Sequence, residues 1–385
     1  MVLLHLGDIH FGKSLCGFDL IDDQRYILDQ ILNMIEDKKV DAVLIAGDVY
    51  DRAIPSEAAT NLLNDFLNQL VKRSVTVFMI SGNHDSDERL NFGSELFRTN
   101  NIYISSVFRG SMFSQTLRDE YGEVCIWLLP FVKASQVKRY YPDSKIESYD
   151  DAVRTIIENE QIDNDKRNVI IAHQFVAGKH ADPVTAGSES VAVQNVGLVE
   201  KISCSCFDPF DYVALGHIHS AQSVGRDTVR YSGSPLKYSL SEINNEKSVP
   251  VITLKEKGDV GIELVPLKPK RDVRHIKGKM NILLDKVNVV DTDDYMYVTL
   301  TDEDVIEDVM GIFRKTYPNT VKIDYDNSHT REMEKIDITE ISGNKTYEEI
   351  VSEFYNYVFG TDITEEEMSV MKEAAKEAGI IDETN

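Results

Sequence analysis

Residues 75–85 read VTVFMISGNHD: a strand-like apolar run that stops in glycine and then offers an amide, an imidazole and a carboxylate side by side. Three such side chains are costly to bury unless something pairs with them. The arrangement recurs in LLHLGDIH (3–10), AVLIAGDVYD (42–51), NVIIAHQ (168–174) and YVALGHIH (212–219). Short apolar runs of this kind read as strands buried on both faces, the pattern of an α/β fold. In open α/β sheets, functional groups collect beyond the carboxyl ends of the strands. Five such ends carry Asp, Asn or His here.

Working outward, strands are expected at 2–6, 42–46, 75–80, 124–129, 168–172, 212–215 and 249–254. Amphipathic helices are expected between them. In 24–37, Ile27, Ile31, Met34 and Ile35 share a face; in 57–72, Ser56 is placed to cap and Leu62, Leu63, Phe66 and Leu70 form the stripe. A third helix is expected over 150–162. The stretch PLKPKRDVRHIKGKM (266–280) breaks the alternation with Lys268, Lys270, Arg271, Arg274, Lys277 and Lys279. It reads either as a phosphate-contacting strip or as a solvated connection between domains. Beyond it, a strand at 295–301, a helix at 302–317 with an acidic first turn, and a strand at 321–325 make a small α/β unit. The tail shows two amphipathic segments, 346–360 and 364–379. Ile350, Val351, Phe354, Tyr357 and Val358 line one face, and Thr364 with Glu367 fits a capping box. Such a face packs on its own domain or docks a partner.

A chain of 385 residues divides into two or three domains. Its net charge is −24, and residues 281–385 alone hold 26 acidic against 9 basic side chains. A chain this acidic binds nucleic acid poorly by itself, so metal ions, local basic patches or a partner must supply positive charge. No apolar stretch approaches the ~20 residues of a membrane span, and the opening MVLLHL has no signal-peptide character, so a cytoplasmic protein is expected. Cys16, Cys125, Cys204 and Cys206 fit neither a disulfide framework nor a zinc knuckle.

The candidate metal ligands are Asp8, His10, Asp48, Asn83, His173, His217 and His219. The Asp8/His10 and His217/His219 spacings point both members one way if the chain is extended. Carboxylate, imidazole and amide donors without thiolate suit Mn²⁺, Fe²⁺ or Zn²⁺. Seven donors exceed one closed site and suit two ions about 3.5–4 Å apart sharing a carboxylate. Gly7, Gly47, Gly82 and Gly216 each precede a donor, where glycine permits a sharp turn. Any one of these side chains alone could be structural; four such repeats are hard to explain by packing.

Asp8-Ile9-His10, Gly47-Asp48-Val49-Tyr50-Asp51, Gly82-Asn83-His84-Asp85, Ala172-His173 and Gly216-His217-Ile218-His219 resemble, in order, the five motifs of the calcineurin-like metallophosphoesterase superfamily. Within it, GDVYDRAIPS (47–56), FDYVALGHIHSAQ (210–222) and VRYSGSPLKYSLSE (229–242) are similar to the SbcD family of bacterial nuclease subunits. The resemblance implies an α/β fold: a two-layer β-sandwich flanked by helices over 1–275, a small α/β capping domain over 276–342, and C-terminal helices over 343–385 that bind the SbcC ATPase. It implies one metal ion held by Asp8, His10, Asp48 and His219, and a second by Asp48, Asn83, His173 and His217. His84, oriented by Asp85, would stabilise the transition state or protonate the leaving group, with Asp51 just outside the ligands. The implied activity is Mn²⁺-dependent DNA cleavage, 3′→5′ from duplex ends and endonucleolytic at hairpins and single strands. The implied assembly is a homodimer within a heterotetramer with SbcC, cytoplasmic and nucleoid-associated, acting in recombination and repair. Two rivals remain: a phosphoesterase for nucleotides or other small phosphodiesters, and a metal-stabilised scaffold regulating an ATPase. The GSPLKYSLSE stretch and the long C-terminal addition argue against the first, an intact His84 against the second.

Overall fold

Val2–Leu6, Ala42–Ala46 and Thr76–Ile80 are parallel neighbours at the centre of one sheet. The computed structural model describes residues 1–179, 182–185, 187, 201–328, 330, 346–359 and 361–377. In it this sheet has six strands, in the order Val260–Pro266, Ser248–Leu254, Val2–Leu6, Ala42–Ala46, Thr76–Ile80, Ile102–Ser105. A second six-stranded sheet runs Gln222–Val224, Arg226–Tyr231, Tyr212–Gly216, Arg167–His173, Gly122–Leu129, Phe113–Asp119. Its inner strands are parallel and both edges are antiparallel.

The two sheets stack face to face. Leu3, Ala42, Leu44, Ala46, Phe78 and Ile80 of the first share one buried cluster with Val124, Ile126, Leu128, Val169, Ile171 and Ala214 of the second. Alternate residues point the other way. Leu4, Leu6, Val43, Ile45, Val77 and Met79 pack with the stripes of the helices Ile21–Lys38 and Glu57–Lys72. Ile170, Val213 and Leu215 pack with the helix Tyr149–Glu158. Burial on both faces is why these strands read as unbroken apolar runs. Each large apolar side chain buried contributes roughly 1.5–3 kcal/mol. A few of them therefore offset the strained loops that carry the polar residues. This is the expected sandwich flanked by helices.

Helix ends follow local chemistry. The Ser56 hydroxyl accepts from the Ala59 N–H at 3.2 Å. Ser148 and Asp151 form a reciprocal cap, and the third helix stops at Glu158, short of the expected 162. The strands at Phe113–Asp119, Arg226–Tyr231 and Val260–Pro266 escaped the sequence reading. They lie at or near sheet edges and carry partly buried and exposed residues in rough alternation, so no apolar run marks them.

A three-stranded sheet follows in the order Val273–Gly278, Tyr295–Leu300, Thr320–Tyr325. The helix expected over 302–317 is a correction: only Val309–Arg314 is helical. Asp308 before it is left-handed (φ 48°), and the Asp302 carboxylate accepts the Met280 N–H at 2.8 Å. The acidic run serves as a set of acceptors rather than as a first turn. The basic stretch 266–280 proves partly structural. Arg271 pairs with Asp23 (Nε–Oδ1 3.0 Å), Arg274 with Asp294 (2.6 Å) and Lys277 with Asp326, while Lys268, Lys270 and Lys279 are exposed.

The chain divides into two compact units. One comprises Met1–Ile276, Leu284–Val298 and Asp308–Ile323; the other comprises Lys277–Leu283, Thr299–Glu307 and Asp324–Asn385. The second unit carries the helices Tyr347–Phe359 and Glu365–Glu377. Thr364 and Glu367 cap the latter reciprocally (2.9 and 3.3 Å), and Lys372 pairs with Glu348 at 2.6 Å, joining the two helices. Of the expected apolar face, Val351 is buried and Phe354 is exposed, while the Tyr357 and Val358 side chains lie outside the described residues.

Candidate metal centre

All seven expected donors meet at one end of the sandwich. Asp8, His10, Asp48 and Asn83 follow strands of the first sheet, and His173, His217 and His219 end or follow strands of the second. Hydrogen bonds sew the loops together. The His10 N–H donates to the Asp48 carbonyl (2.9 Å), the His217 N–H to Asp8 Oδ1 (2.8 Å) and the His84 N–H to Asp48 Oδ1 (2.9 Å).

The backbone reaches this geometry differently from the sequence expectation. Asp8, His10, Asp48 and His217 are themselves left-handed, with φ of 51°, 48°, 47° and 96°. The His–x–His and Asp–x–His pairs therefore converge through bent chain, not extended chain. Among the preceding glycines, Gly47 has the positive φ that glycine tolerates (81°). The other three supply room. A Cβ on Gly7 would lie 2.8 Å from Ser232 Oγ, one on Gly82 2.2 Å from Asp48 Oδ1, and one on Gly216 2.0 Å from the Ala46 carbonyl oxygen.

Side-chain atoms converge in two halves. In the first, His10 Nε2 lies 3.2 Å from His219 Nε2 and 3.6 Å from Asp48 Oδ2. In the second, His173 Nε2 lies 3.4 Å from Asp48 Oδ2 and 3.1 Å from Asn83 Oδ1, and His217 Nδ1 lies 2.9 Å from the same Asn83 oxygen. The Nδ1–H of His173 donates to the Ala46 carbonyl at 2.8 Å, so in the neutral ring Nε2 would present a lone pair to two oxygens. Asp8 Oδ2 is buried with no hydrogen-bond partner. Acceptor atoms facing one another, with an orphaned carboxylate oxygen, call for a proton or a metal cation between them. The residues fit divalent metal ions: Asp8, His10 and His219 form one group of converging ligand atoms, and Asp8, Asp48 and His173 another.

The charge states agree with a site built for cations. Burial pushes the Asp8 carboxyl up to about 6, against the pull of His173 and His219. Burial also opposes ionisation of Asp48, yet His173 and His10 hold it well below the usual carboxylate range. His173 would be depressed by burial, but Asp48 and Asp8 push it up to about 9. Burial keeps His10 well below the imidazole range. A proton shared among these groups stands where a divalent ion would displace it.

His84 is half-buried beside His10, ring centroids 4.9 Å apart. Its expected orientation by Asp85 is corrected. His84 Nδ1 lies 3.0 Å from the Asp51 carbonyl oxygen. The Asp85 carboxylate instead accepts the backbone N–H groups of Val49 (3.1 Å), Tyr50 (2.9 Å) and Gly82 (2.9 Å), so it staples two ligand loops. Asp51 lies outside the donors, paired with Lys13 at 2.7 Å and 3.8 Å from His10 Nδ1. Sequence reasoning missed Glu242, whose Oε1 lies 3.1 Å from His219 Nδ1, and Tyr238 with Gln24, which hold the Ile9 carbonyl. The available signal was the 229–242 motif, which contains Tyr238 and Glu242.

The chain is similar to known proteins over most of its length. The family model for calcineurin-like phosphoesterases matches residues 1–221, and that for the type 5 capsule protein repressor C-terminal domain matches residues 269–358. The SbcD subunit of the nuclease SbcCD from Staphylococcus epidermidis is 35% identical over 329 residues, covering 84% of this chain and 85% of the relative. Among solved structures, a dimetal phosphatase from Danio rerio is 11% identical with a TM-score of 0.38, covering 70% of this chain and 99% of that one. The protein TT1561 from Thermus thermophilus is 11% identical with a TM-score of 0.38, covering 68% of this chain and 98% of that one. The chain belongs to the calcineurin-like phosphoesterase family and, within it, to the SbcD family of nuclease subunits.

Proposed function

We propose that this chain is the nuclease subunit of a two-component DNA-processing complex, cutting phosphodiesters with two divalent cations. One set of donors is Asp8, His10, Asp48 and His219, the other Asp48, Asn83, His173 and His217. The observation that carries this reading is the position of Asp48 Oδ2, between His10 Nε2 at 3.6 Å and His173 Nε2 at 3.4 Å. A carboxylate so placed serves both halves. When bound, the cations would supply positive charge for the phosphate and acidify a water nucleophile. Oxygen and imidazole donors suit Mn²⁺, the metal we propose.

The chain's own groups do the rest. With Nδ1–H of His84 donated to the Asp51 carbonyl, the imidazolium form would carry its second proton on Nε2, pass it to the departing 3′-oxygen and be left as the neutral ring. Asp48 holds the His84 main chain through Oδ1, so ligand and proton donor keep a fixed spacing. Asp85 acts behind them, as the staple between the Asp48 and Asn83 loops.

The name of the Staphylococcus epidermidis relative supports an ATPase partner of the SbcC type and DNA as substrate. We propose 3′→5′ cleavage of duplex ends and endonucleolytic cleavage of hairpins and single strands. We further propose a homodimer within a heterotetramer, working in the cytoplasm at the nucleoid. Within the chain, 1–275 would be the nuclease domain, 276–342 the cap and 343–385 the partner-binding helices. The net charge of −24 supports division of labour, with much of the DNA grip supplied by the partner.

The test is cleavage of end-labelled hairpin and duplex DNA with Mn²⁺, with and without EDTA, beside an Asp48→Ala variant. Metal-dependent cutting that the variant loses is expected, and the product ends report polarity. Absence of cutting both alone and with the ATPase and ATP would overturn the reading.

A further inference from the structure

The 229–242 motif is not used by the chemistry above, yet it wraps the back of His219. Glu242 is fully buried, with Oε1 3.1 Å from His219 Nδ1. Its other oxygen takes the Lys247 ammonium at 2.5 Å. Lys247, whose side chain is 7% exposed, also donates to the His219 carbonyl at 3.0 Å and to Ser234 Oγ at 2.8 Å. The Ser234 N–H reaches the same His219 carbonyl at 3.1 Å. One buried ion pair thus grips both the ring and the main chain of a single donor.

With a carboxylate accepting at Nδ1, His219 keeps its proton there and turns the Nε2 lone pair toward His10, 3.2 Å away. In the other half, His173 Nδ1 donates to a neutral carbonyl, that of Ala46, and the Asp8 carboxylate stands 4.0 Å off, beyond hydrogen-bond reach. A carboxylate behind an imidazole makes it a more basic ligand and fixes its orientation. A dipole does so more weakly. We propose that Glu242, held by Lys247, is a positioning residue that makes the His10–His219 half the tighter of the two cation sites, so that the ions bind in sequence. This rests on the two-cation reading.

The experiment is Mn²⁺ titration of the full chain, followed by calorimetry and electron paramagnetic resonance. The unaltered chain should take two equivalents, the first giving the signal of an isolated ion and the second converting it to a coupled pair. Fewer than two equivalents would sink the two-cation reading and this inference together. Glu242→Gln should weaken the first equivalent about 10–100-fold and leave the second unchanged. Because that change strands a buried ammonium, the Glu242→Gln/Lys247→Met pair, which removes both charges, should show the same loss. Two equivalents with unaltered affinities in the variants would keep the two-cation reading and overturn this inference, even if their melting temperatures fall. Anomalous diffraction from unaltered crystals at limiting Mn²⁺ needs no variant. The first ion should appear among Asp8, His10 and His219; its appearance beside His173 and His217 would also overturn the proposal.

Discussion

His173 Nδ1 donates to the carbonyl oxygen of Ala46 at 2.8 Å, tying a strand end of one sheet to a strand end of the other. The donor set therefore exists only when the two sheets are packed. Anything that binds this set binds the folded state alone. Saturating Mn²⁺ at 100 times its dissociation constant should stabilise the chain by about 2.7 kcal/mol per site. Differential scanning calorimetry should show the melting temperature rising with Mn²⁺ and falling back on addition of EDTA, and Asp48→Ala should blunt the response.

Asp85 should matter as a staple. Asp85→Ala leaves the N–H groups of Val49, Tyr50 and Gly82 without their acceptor. At about 1–3 kcal/mol for each of the three donors left unpaired, the loss is on the order of 3–9 kcal/mol. Urea unfolding would measure it. Asp85→Asn keeps one acceptor oxygen and should lose less. Mn²⁺ affinity should fall in parallel with stability, because Asp48 and Asn83 sit on the two loops released.

His5 should give the fold an acid limb. It is buried between the sheets with Nδ1 3.0 Å from the Tyr212 hydroxyl. Burial, with Arg230 adding to it, lowers its pKa from the ordinary 6.5 to about 3. A histidine depressed in the fold contributes stability above pH 6.5 that drains away as pH falls toward 3, because the unfolded chain binds the extra proton. The slope is about 1.4 kcal/mol per pH unit. Replacing both partners, His5→Leu with Tyr212→Phe, should flatten urea midpoints measured from pH 7 to pH 4 relative to the parent by that slope.

Arg271 should behave as a core cation, not as a DNA contact. Asp23 is buried and takes both the Arg271 guanidinium (3.0 Å) and the Tyr295 hydroxyl (2.9 Å). Arg271→Ala leaves that carboxylate without its counter-charge, a loss of about 3–5 kcal/mol. The salt dependence of DNA binding should be unchanged, whereas loss of a phosphate contact would reduce it.

What could be read from the sequence was whatever strand burial and helix capping write into local patterns. The runs ending at Leu6, Ala46, Ile80, His173 and Gly216 are buried on both faces, so five strands and their polar ends stand out. Ser56 and the Thr364–Glu367 box depend on spacings of three residues and were equally plain. The Asp85 staple was not, because its partners Val49 and Tyr50 lie 36 and 35 residues away and donate backbone N–H groups, which any residue would supply. Glu242 reaches His219 across 23 residues, a distance no local periodicity spans. The glycines were seen but explained by the wrong property: at Gly82 and Gly216 the missing Cβ matters for space, a fact of tertiary packing.

Four residues whose backbone is left-handed, Asp8, His10, Asp48 and His217, have a bearing on how such a chain evolves. Each such conformation costs of order 1–3 kcal/mol in a residue other than glycine. Selection for thermostability alone would favour losing these residues, and only selection for activity retains them. Lineages that no longer needed cleavage would drift first at these four positions, toward glycine and asparagine, while the sandwich beneath them stayed intact.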